Sequence, residues 1–369
     1  MKSMISVGNR SIGAGNPCLV IAELGTSHQG ELSIALRLID DAVRSGADCV
    51  KFQLVHAEEI LHPRSGLVEL PTGSVALYEQ FLRLERDTEF YRALKEATEA
   101  AGALFLCSPF GIRSARELRG LGVAAMKIAS PELNHFPLLK EAASYHIPLF
   151  LSSGVSTLGD IERAIAITGA ASTVLLHCVT AYPAPEEQYN VLVLAHLSSV
   201  LGIQVGLSDH SLDPVLVPSL AVLCGACVVE KHFTLSRGGT GLDDPIALEP
   251  EAFRAMVCGI REAEAAGPAA ARRQLERTYG SARVAAVLGS GVKTLAASER
   301  ENYTRTNRSL HAMREISPGE TLEESDIAIL RTEKVLRPGL GPEFLSTITG
   351  ARARRRIPEG EGIVWADLL

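Results

Sequence analysis

The 369-residue sequence predicts an eight-unit parallel α/β barrel, (β/α)8 in type, followed by a small separate C-terminal domain. Three observations carry that expectation. Short, nearly continuous apolar runs alternate with runs of helical period eight times in about 265 residues, the rhythm and size of a (β/α)8 barrel. Strands without polar alternation are what a parallel sheet covered on both faces requires. No Gly-x-Gly-x-x-Gly opens the first helix, which argues against a dinucleotide-binding doubly wound sheet.

The elements follow in order. Pro17 to Gly25 reads as the first strand. From Glu31 to Gly46, Leu32, Ala35, Leu36, Ile39, Ala42 and Val43 recur at helical spacing, and Gly46 is the stop. Asp48 to Leu54 is the second strand, an excursion runs from Val55 to Asp87, and a helix covers Thr88 to Gly102. Further strands are expected at Ala103–Phe110, Ala124–Ser130, Pro148–Gly154, Thr173–Val179, Gln204–His210 and Cys227–Leu235. Helices are expected at Arg113–Leu121, Phe136–Tyr145, Gly159–Thr168, Val191–Leu201, Val215–Leu223 and Pro250–Ala265. The barrel domain is assigned to residues 1–280 and a partly exposed helical linker to 281–306. Residues 307–369, with short strands and the turns Pro318-Gly319 and Pro338-Gly339, form the small domain.

Composition narrows the function classes. Hydrophobic residues make up 46% and aromatics 5%, so the core is built mostly of Ala, Val, Leu and Ile. A net charge of -7 disfavours a general nucleic-acid surface. The run Arg352-Ala353-Arg354-Arg355-Arg356 is read as a solvated or acid-facing strand. Seven cysteines form no paired framework, and Cys224-Gly225-Ala226-Cys227 stands alone in an apolar segment, so buried reduced thiols are expected. No apolar run reaches membrane-span length and no secretory leader is evident, so the expectation is a cytoplasmic protein without membrane or nucleic-acid partners.

In such a barrel the chemistry gathers at the C-terminal strand ends. There the sequence offers Glu23, then Lys51 and Gln53, Ser108, Lys127 with Ser130, Ser152, His177 with Thr180 and Tyr182, Ser208 with His210, and Glu230 with His232, followed by Asp243. In Val228-Val229-Glu230-Lys231-His232-Phe233, period 2 places Glu230 and His232 on one face and Lys231 on the other. A lone strand-end Ser, Lys or His is ordinarily an edge or core residue. Eight ends converging on one side are hard to explain structurally. The lysines and serines suit a phosphate or carboxylate. Two neighbouring histidines suit a divalent cation with open positions, with Mn, Mg and Zn all compatible. Glu23, Glu230 and Asp243 remain for proton transfer or hydroxyl recognition.

Several motifs together resemble the N-acetylneuraminate (sialic acid) synthases and their relatives that make other nonulosonates. They are Ile21-Ala22-Glu23-Leu24-Gly25, Val50-Lys51-Phe52-Gln53, Lys127-Ile128-Ala129-Ser130-Pro131-Glu132, Tyr182-Pro183-Ala184-Pro185, Gly206-Leu207-Ser208-Asp209-His210 and Glu230-Lys231-His232-Phe233. In the tail, Arg308-Ser309-Leu310 and Ile316-Ser317-Pro318-Gly319-Glu320 resemble the start of an SAF (antifreeze-like, β-clip) domain.

The resemblance implies condensation of phosphoenolpyruvate with an N-acylated hexosamine-type sugar such as N-acetylmannosamine, releasing phosphate by C–O cleavage. It implies that His210 and His232 hold a metal, Mn or Mg, and that Glu23 is catalytic with them. Lys51, Ser108, Lys127, Ser130, Ser152 and Ser208 would bind phosphoenolpyruvate. Gln53, Thr180, Tyr182, Glu230 and Asp243 would bind the sugar, with Arg308 reaching in from the SAF domain of a partner in a domain-swapped homodimer. Thr180 and the run Asp243-Asp244-Pro245-Ile246-Ala247 depart from the sialic acid synthase pattern. The stretch around Tyr182 is similar to the legionaminic, pseudaminic and spore-coat members, which points to a diacetamido-dideoxy sugar as the alternative acceptor. A Schiff-base aldolase using Lys127 or Lys231 and a non-catalytic carbohydrate-binding protein are the contrasting readings.

Overall fold

A computed structural model describes residues 4–70, 73–333 and 335–369, with backbone alone for 68–70. Eight parallel strands form one sheet: β1 (Leu19–Gly25), β2 (Cys49–Leu54), β3 (Leu104–Pro109), β4 (Met126–Ile128), β5 (Leu149–Ser152), β6 (Thr173–Cys178), β7 (Gln204–Asp209) and β8 (Val228–His232). Their order is β3-β2-β1-β8-β7-β6-β5-β4, and β3 lies beside β4, so the sheet curls into a barrel. The helices are α1 (Leu32–Arg44), α2 (Thr88–Ala100), α3 (Ile112–Gly120), α4 (Phe136–Ala143), α5 (Leu158–Thr168), α6 (Val193–Leu201), α7 (Leu216–Leu223) and α8 (Pro250–Ala266). Each falls within a few residues of its expected position, because periodicity marks elements better than it marks their ends.

Strand alternation sorts the side chains. On β1, Val20, Ala22 and Leu24 join the core between sheet and helices, whereas Leu19 and Ile21 face the barrel interior. That interior is closed from below by a hairpin the sequence reading did not foresee. Ile5–Val7 pairs antiparallel with Arg10–Ile12, and Ile5, Val7 and Ile12 pack against Leu106, Phe150 and Val174. At three residues per strand the hairpin is too short to leave a periodic signal. The stopper leaves polar groups to gather only at the opposite mouth. Gly206 is needed within the wall, since a Cβ there would lie 2.5 Å from the Val228 carbonyl oxygen.

The excursion after β2 contains a hairpin, Leu67–Leu70 with Gly73–Ala76, and a helix, Leu77–Leu84; residues 71 and 72 lie outside the described residues. Helix α9 (Pro268–Tyr279) closes the span assigned to the barrel, α10 (Ser281–Leu288) opens the helical segment assigned to a linker, and together they place Leu275, Val284, Val287 and Leu288 in the main barrel core. Their apolar positions are sparse, so exposed Ala and Arg masked the buried stripe. Beyond α10 the chain drapes over the ends of β5 and β6. There Glu299 Oε1 accepts the backbone N–H groups of Val155 at 2.7 Å and Thr180 at 2.8 Å.

The C-terminal domain holds an antiparallel pair, β9 (Arg308–Ala312) and β10 (Ile327–Arg331), around a core of Leu310, Ile316, Leu322, Ile348, Ile357 and Ile363. In this chain it is seated on its own barrel. Asn134 and the Arg308 backbone exchange two hydrogen bonds, of 2.8 and 2.9 Å, and the Arg331 N–H donates to the Ile60 carbonyl at 3.0 Å. A core this small gains stability from such docking. Of the arginine run, Arg355 pairs with Asp367 at 2.6 Å and Arg356 with Glu315 at 2.5 Å, the acid-facing arrangement expected. All seven cysteines are free thiols, and among the described residues no helix is long and apolar enough to cross a membrane.

Candidate active site

The barrel mouth opens into a cavity of about 430 Å³. Fourteen of the fifteen residues to which the resemblance gives a role line it: Glu23, Lys51, Gln53, Ser108, Lys127, Ser130, Ser152, Thr180, Tyr182, Ser208, His210, Glu230, His232 and Asp243. Strand register explains the convergence. Glu23 lies opposite both Lys51 and His232, Gln53 opposite Ser108, and Ser208 opposite Glu230. Period 2 then points these side chains inward at the open end.

The floor is a buried charge cluster. Lys51 Nζ lies 2.8 Å from Glu23 Oε2 and 3.5 Å from Glu230 Oε1. Lys127 Nζ lies 3.2 Å from Glu230 Oε1, which also accepts the Ser208 hydroxyl at 2.9 Å. Gln53 Nε2 donates to Glu23 Oε1 at 2.6 Å. Burial opposes the charge on Lys51, but Glu23 and Glu230 outweigh it and raise its pKa. Burial also opposes the Glu230 charge, and Lys127 with Lys51 holds that carboxyl down to about 2. Burial pushes Glu23 upward, against the pull of Lys51. Desolvation and the Glu23 charge raise Asp243 to about 6.

The serines surround this cluster. Ser130 Oγ accepts the Gly154 N–H at 3.0 Å. Among the described residues the buried hydroxyls of Ser108 and Ser152 have no hydrogen-bond partner. A buried hydroxyl without a partner is costly, and two of them beside two ammonium groups form a set of donors that suits an anion.

The two histidines lie on neighbouring strand ends, ring centroids 5.5 Å apart. His210 Nδ1 is 2.9 Å from the Val179 carbonyl, which leaves Nε2 for the cavity. His232 Nδ1 is 3.8 Å from Asp243 Oδ2, and Tyr182 stacks on His210 at 4.3 Å. Burial, His210 and Lys51 keep His232 neutral, the form a metal needs. Burial opposes charge on His210, but Cys178, 3.8 Å away, raises its pKa. Among the described residues no three His, Cys, Asp or Glu side chains form a cation cage. The pair fits a divalent cation whose other positions go to water or substrate.

Two expectations change, for Arg308 and His177, and one holds, for Lys231. Arg308 does not line the cavity. Its side chain is fully buried in the junction between the domains, 2.8 Å from Glu132 Oε1, with Nη2 donating to the Phe110 carbonyl. In this structure it contacts the barrel of its own chain. His177 faces outward and lies 2.7 Å from the Tyr189 carbonyl. Lys231 sits outside the cavity, as period 2 required, buried against Asp209 at 2.6 Å.

The sequence reading missed the roof. Asn302 and Thr306 from the draped segment and Arg331 and Glu333 from β10 and its following turn line the cavity opposite the strand ends. Nothing in a linear pattern ties residues 302–333 to strands 200 residues earlier. The cluster of polar residues just before Arg308 was the available signal. One wall is apolar, formed by Leu77, Phe81, Phe110, Leu242 and Ile246.

Fold and mouth together define a barrel enzyme with a C-terminal domain covering its active end. The chain belongs to the NeuB family, the sialic-acid-type synthases: that family model matches residues 38–270, and the SAF domain model matches residues 307–369. It is 35% identical to the spore coat polysaccharide biosynthesis protein SpsE of Bacillus subtilis, over 98% of this chain and 96% of that one. It is 31% identical to the N,N'-diacetyllegionaminic acid synthase of Legionella pneumophila, over 98% and 97% of the two chains. The crystal structure of SpsE superposes with a TM-score of 0.83 at 34% identity, covering 100% of this chain and 99% of that one. That of an N-acetylneuraminic acid synthetase from Leptospira borgpetersenii in complex with citrate superposes at 0.67 and 30% identity, covering 82% and 95%.

Proposed function

We propose that the enzyme condenses phosphoenolpyruvate with the open-chain aldehyde of an N-acylated amino sugar, adds water and releases inorganic phosphate. The observation that carries this reading is the floor: two buried ammonium groups beside the unpartnered hydroxyls of Ser108 and Ser152. Phosphoenolpyruvate supplies the acceptors these hydroxyls lack and the negative charge the ammonium groups suit.

The steps assigned to this chain's residues follow from their positions. Lys51 and Lys127 hold the phosphate and carboxylate, with Ser130 and Ser208 completing the cradle. Carbon 3 of the enolpyruvate forms the new C–C bond with the aldehyde carbon as the C=O π bond breaks and its oxygen takes up a proton. Water adds at carbon 2, and Glu23, whose pKa burial raises, takes its proton. The bond from carbon 2 to the bridging oxygen then breaks, the new hydroxyl at carbon 2 becomes the ketone, and phosphate leaves with the bridging oxygen and that hydroxyl's proton. Gln53, Thr180, Tyr182, Glu230 and Asp243 hold the sugar hydroxyls. His210 and His232 would hold a divalent cation, Mn or Mg, which would supply Lewis-acid polarisation of the aldehyde. The acceptor is N-acetylmannosamine or a diacetamido-dideoxy sugar. The apolar wall of Leu77, Phe81 and Ile246 favours the second, since it suits a methyl group where the first carries a hydroxymethyl. Cytoplasmic location and the homodimer belong to the same proposal, and sedimentation tests the dimer.

Phosphate release tests the reaction. It is expected with one acceptor of the panel plus Mn or Mg, and is lost on chelation. No release with any acceptor contradicts the reading. One observation favours an imine-forming aldolase as the second reading: Lys127 is buried in the cavity, and desolvation lowers its pKa despite Glu230. Borohydride reduction with pyruvate would leave a covalent adduct on Lys127 in that case.

A further inference from the structure

We propose that Glu299, on the segment draped over the barrel mouth, is a positioning residue for the reaction. Its carboxylate fixes the loops after β5 and β6, so that Ser152 and Thr180 present their hydroxyls to the two substrates. The inference rests on the reaction assigned above and identifies a residue 119 positions beyond the nearer of those hydroxyls in the chain.

Glu299 is buried, and three backbone N–H groups converge on its carboxylate. Oε1 accepts from Val155 at 2.7 Å and from Thr180 at 2.8 Å, and Oε2 accepts from Ala296 at 3.1 Å. One oxygen therefore joins the β5 loop to the β6 loop. The backbone carbonyl of Glu299 accepts the N–H groups of Asn302 and Tyr303, both at 3.0 Å, and Asn302 lines the roof of the cavity. A carboxylate offers acceptors on both oxygens, whereas a glutamine would turn an NH2 group toward one of these donors.

The β5 loop needs holding. Val155 has φ +42°, in the left-handed region that a β-branched residue avoids. Such a conformation persists where the surroundings over-determine it, and it collects at functional sites. Hydrogen bonds from several sides fix this turn. Glu299 takes the Val155 N–H, and Asn307 Nδ2 donates to the Val155 carbonyl at 3.0 Å. Lys293 Nζ donates to the Ser153 carbonyl at 3.1 Å, and Ser130 takes the Gly154 N–H. All but the last come from the draped segment. The turn is also tightly packed, since a Cβ on Gly154 would lie 2.0 Å from Thr180 Oγ1 and 2.9 Å from Ser130 Oγ. Ser130, Ser152 and Thr180 line the cavity, and among the described residues the buried hydroxyls of Ser152 and Thr180 have no hydrogen-bond partner. A shift of this turn therefore moves the phosphoenolpyruvate side and the sugar side together.

The test uses the full-length chain and the variants E299Q, V155G and V155G/E299Q. The KM values for phosphoenolpyruvate and for the preferred acceptor are read together with kcat and the melting temperature, and phosphoenolpyruvate affinity is read by calorimetric titration. E299Q should raise both KM values by about tenfold, the effect of one misplaced hydrogen bond on each substrate. In the V155G background the same change should cost no more than about threefold, because glycine adopts the left-handed turn without strain. A merely structural Glu299 would behave differently. E299Q would then lose folded chain, lowering kcat and the melting temperature with both KM values unchanged. That result would overturn the inference, as would an E299Q chain that does not fold, a rise in one KM alone, or an equal loss in both backgrounds. Weakened phosphoenolpyruvate binding in E299Q, with a wild type that releases no phosphate with any acceptor, would sink the reaction and leave the positioning role standing. A wild type that binds no phosphoenolpyruvate would sink both.

Discussion

Lys51 and Glu23 meet as a 2.8 Å ion pair at the floor of the barrel mouth, and neither side chain is more than about one-twentieth exposed. A buried pair of this kind is poor evidence for stability, because desolvation offsets most of its Coulomb energy. Its value is as pre-organised charge beside the unpartnered donors Ser108 and Ser152. E23Q keeps the shape of the pair and removes the acceptor for a proton. Turnover should fall roughly 100-fold or more with the melting temperature little changed. Equal turnover would remove Glu23 from the chemistry.

S108A and S152A should do the reverse of what buried-residue mutations usually do. Neither hydroxyl has a partner among the described residues, so deleting it breaks no hydrogen bond there. Stability should stay within about 0.5 kcal/mol of wild type or rise. The phosphoenolpyruvate KM should climb by roughly tenfold, the worth of one hydrogen bond to a charged ligand. A loss of more than ~1 kcal/mol with unchanged KM would make these hydroxyls structural.

His232→Ala should cost at least about 100-fold in activity while the fold survives, because burial keeps the ring neutral and unpaired except for the distant Asp243 carboxylate. Calorimetry with Mn should show a matching loss of cation affinity. Wild-type Mn binding in H232A would place the metal elsewhere.

Arg308 carries a structural prediction in place of the substrate role that its motif implied. R308A strips the buried Glu132 carboxylate of one of its two guanidinium partners, Arg331 remaining at 2.7 Å, so it should destabilise the chain by about 2–3 kcal/mol, as read by denaturant unfolding. A folded, equally stable R308A would show that the domain junction does not depend on it.

Asp160 gives a pH-dependent test of the draped segment. It completes the capping box of α5 with Thr157, pairs with Arg163 and accepts the Tyr303 hydroxyl at 2.9 Å. Burial opposes its charge, but these donors outweigh it and hold its pKa below the ordinary value. A depressed folded-state pKa contributes stability that is present above the unfolded value, about 3.9, and is lost as pH falls through the folded one. The stability gap between wild type and D160N should therefore be constant near neutrality and narrow below about pH 4. A gap that widens on acidification would have the wrong sign.

What the sequence revealed and what it hid divide along physical lines. Parallel strands buried on both faces read as apolar runs, and an inward side chain at a strand's C-terminal end is fixed by period 2, so Glu23, Lys51, Glu230 and His232 were legible. Lys231 was legible as outward for the same reason. The hairpin Ile5–Val7/Arg10–Ile12 was not, because three-residue strands carry no period. The helix Ser281–Leu288 hid its buried stripe among exposed alanines. Arg308 and Arg331 could not be told apart, since which of two facing arginines is sealed and which is open depends on docking across the domain junction, and no local pattern encodes that.

The most direct test of the central claim follows the oxygen that bridges carbon 2 and phosphorus in phosphoenolpyruvate. With that atom replaced by oxygen-18 and the preferred acylated sugar and Mn present, mass spectrometry should find the label in the released phosphate and none in the sugar product. Label retained in the product, or phosphate released without an acceptor, would contradict condensation with C–O cleavage at this barrel mouth.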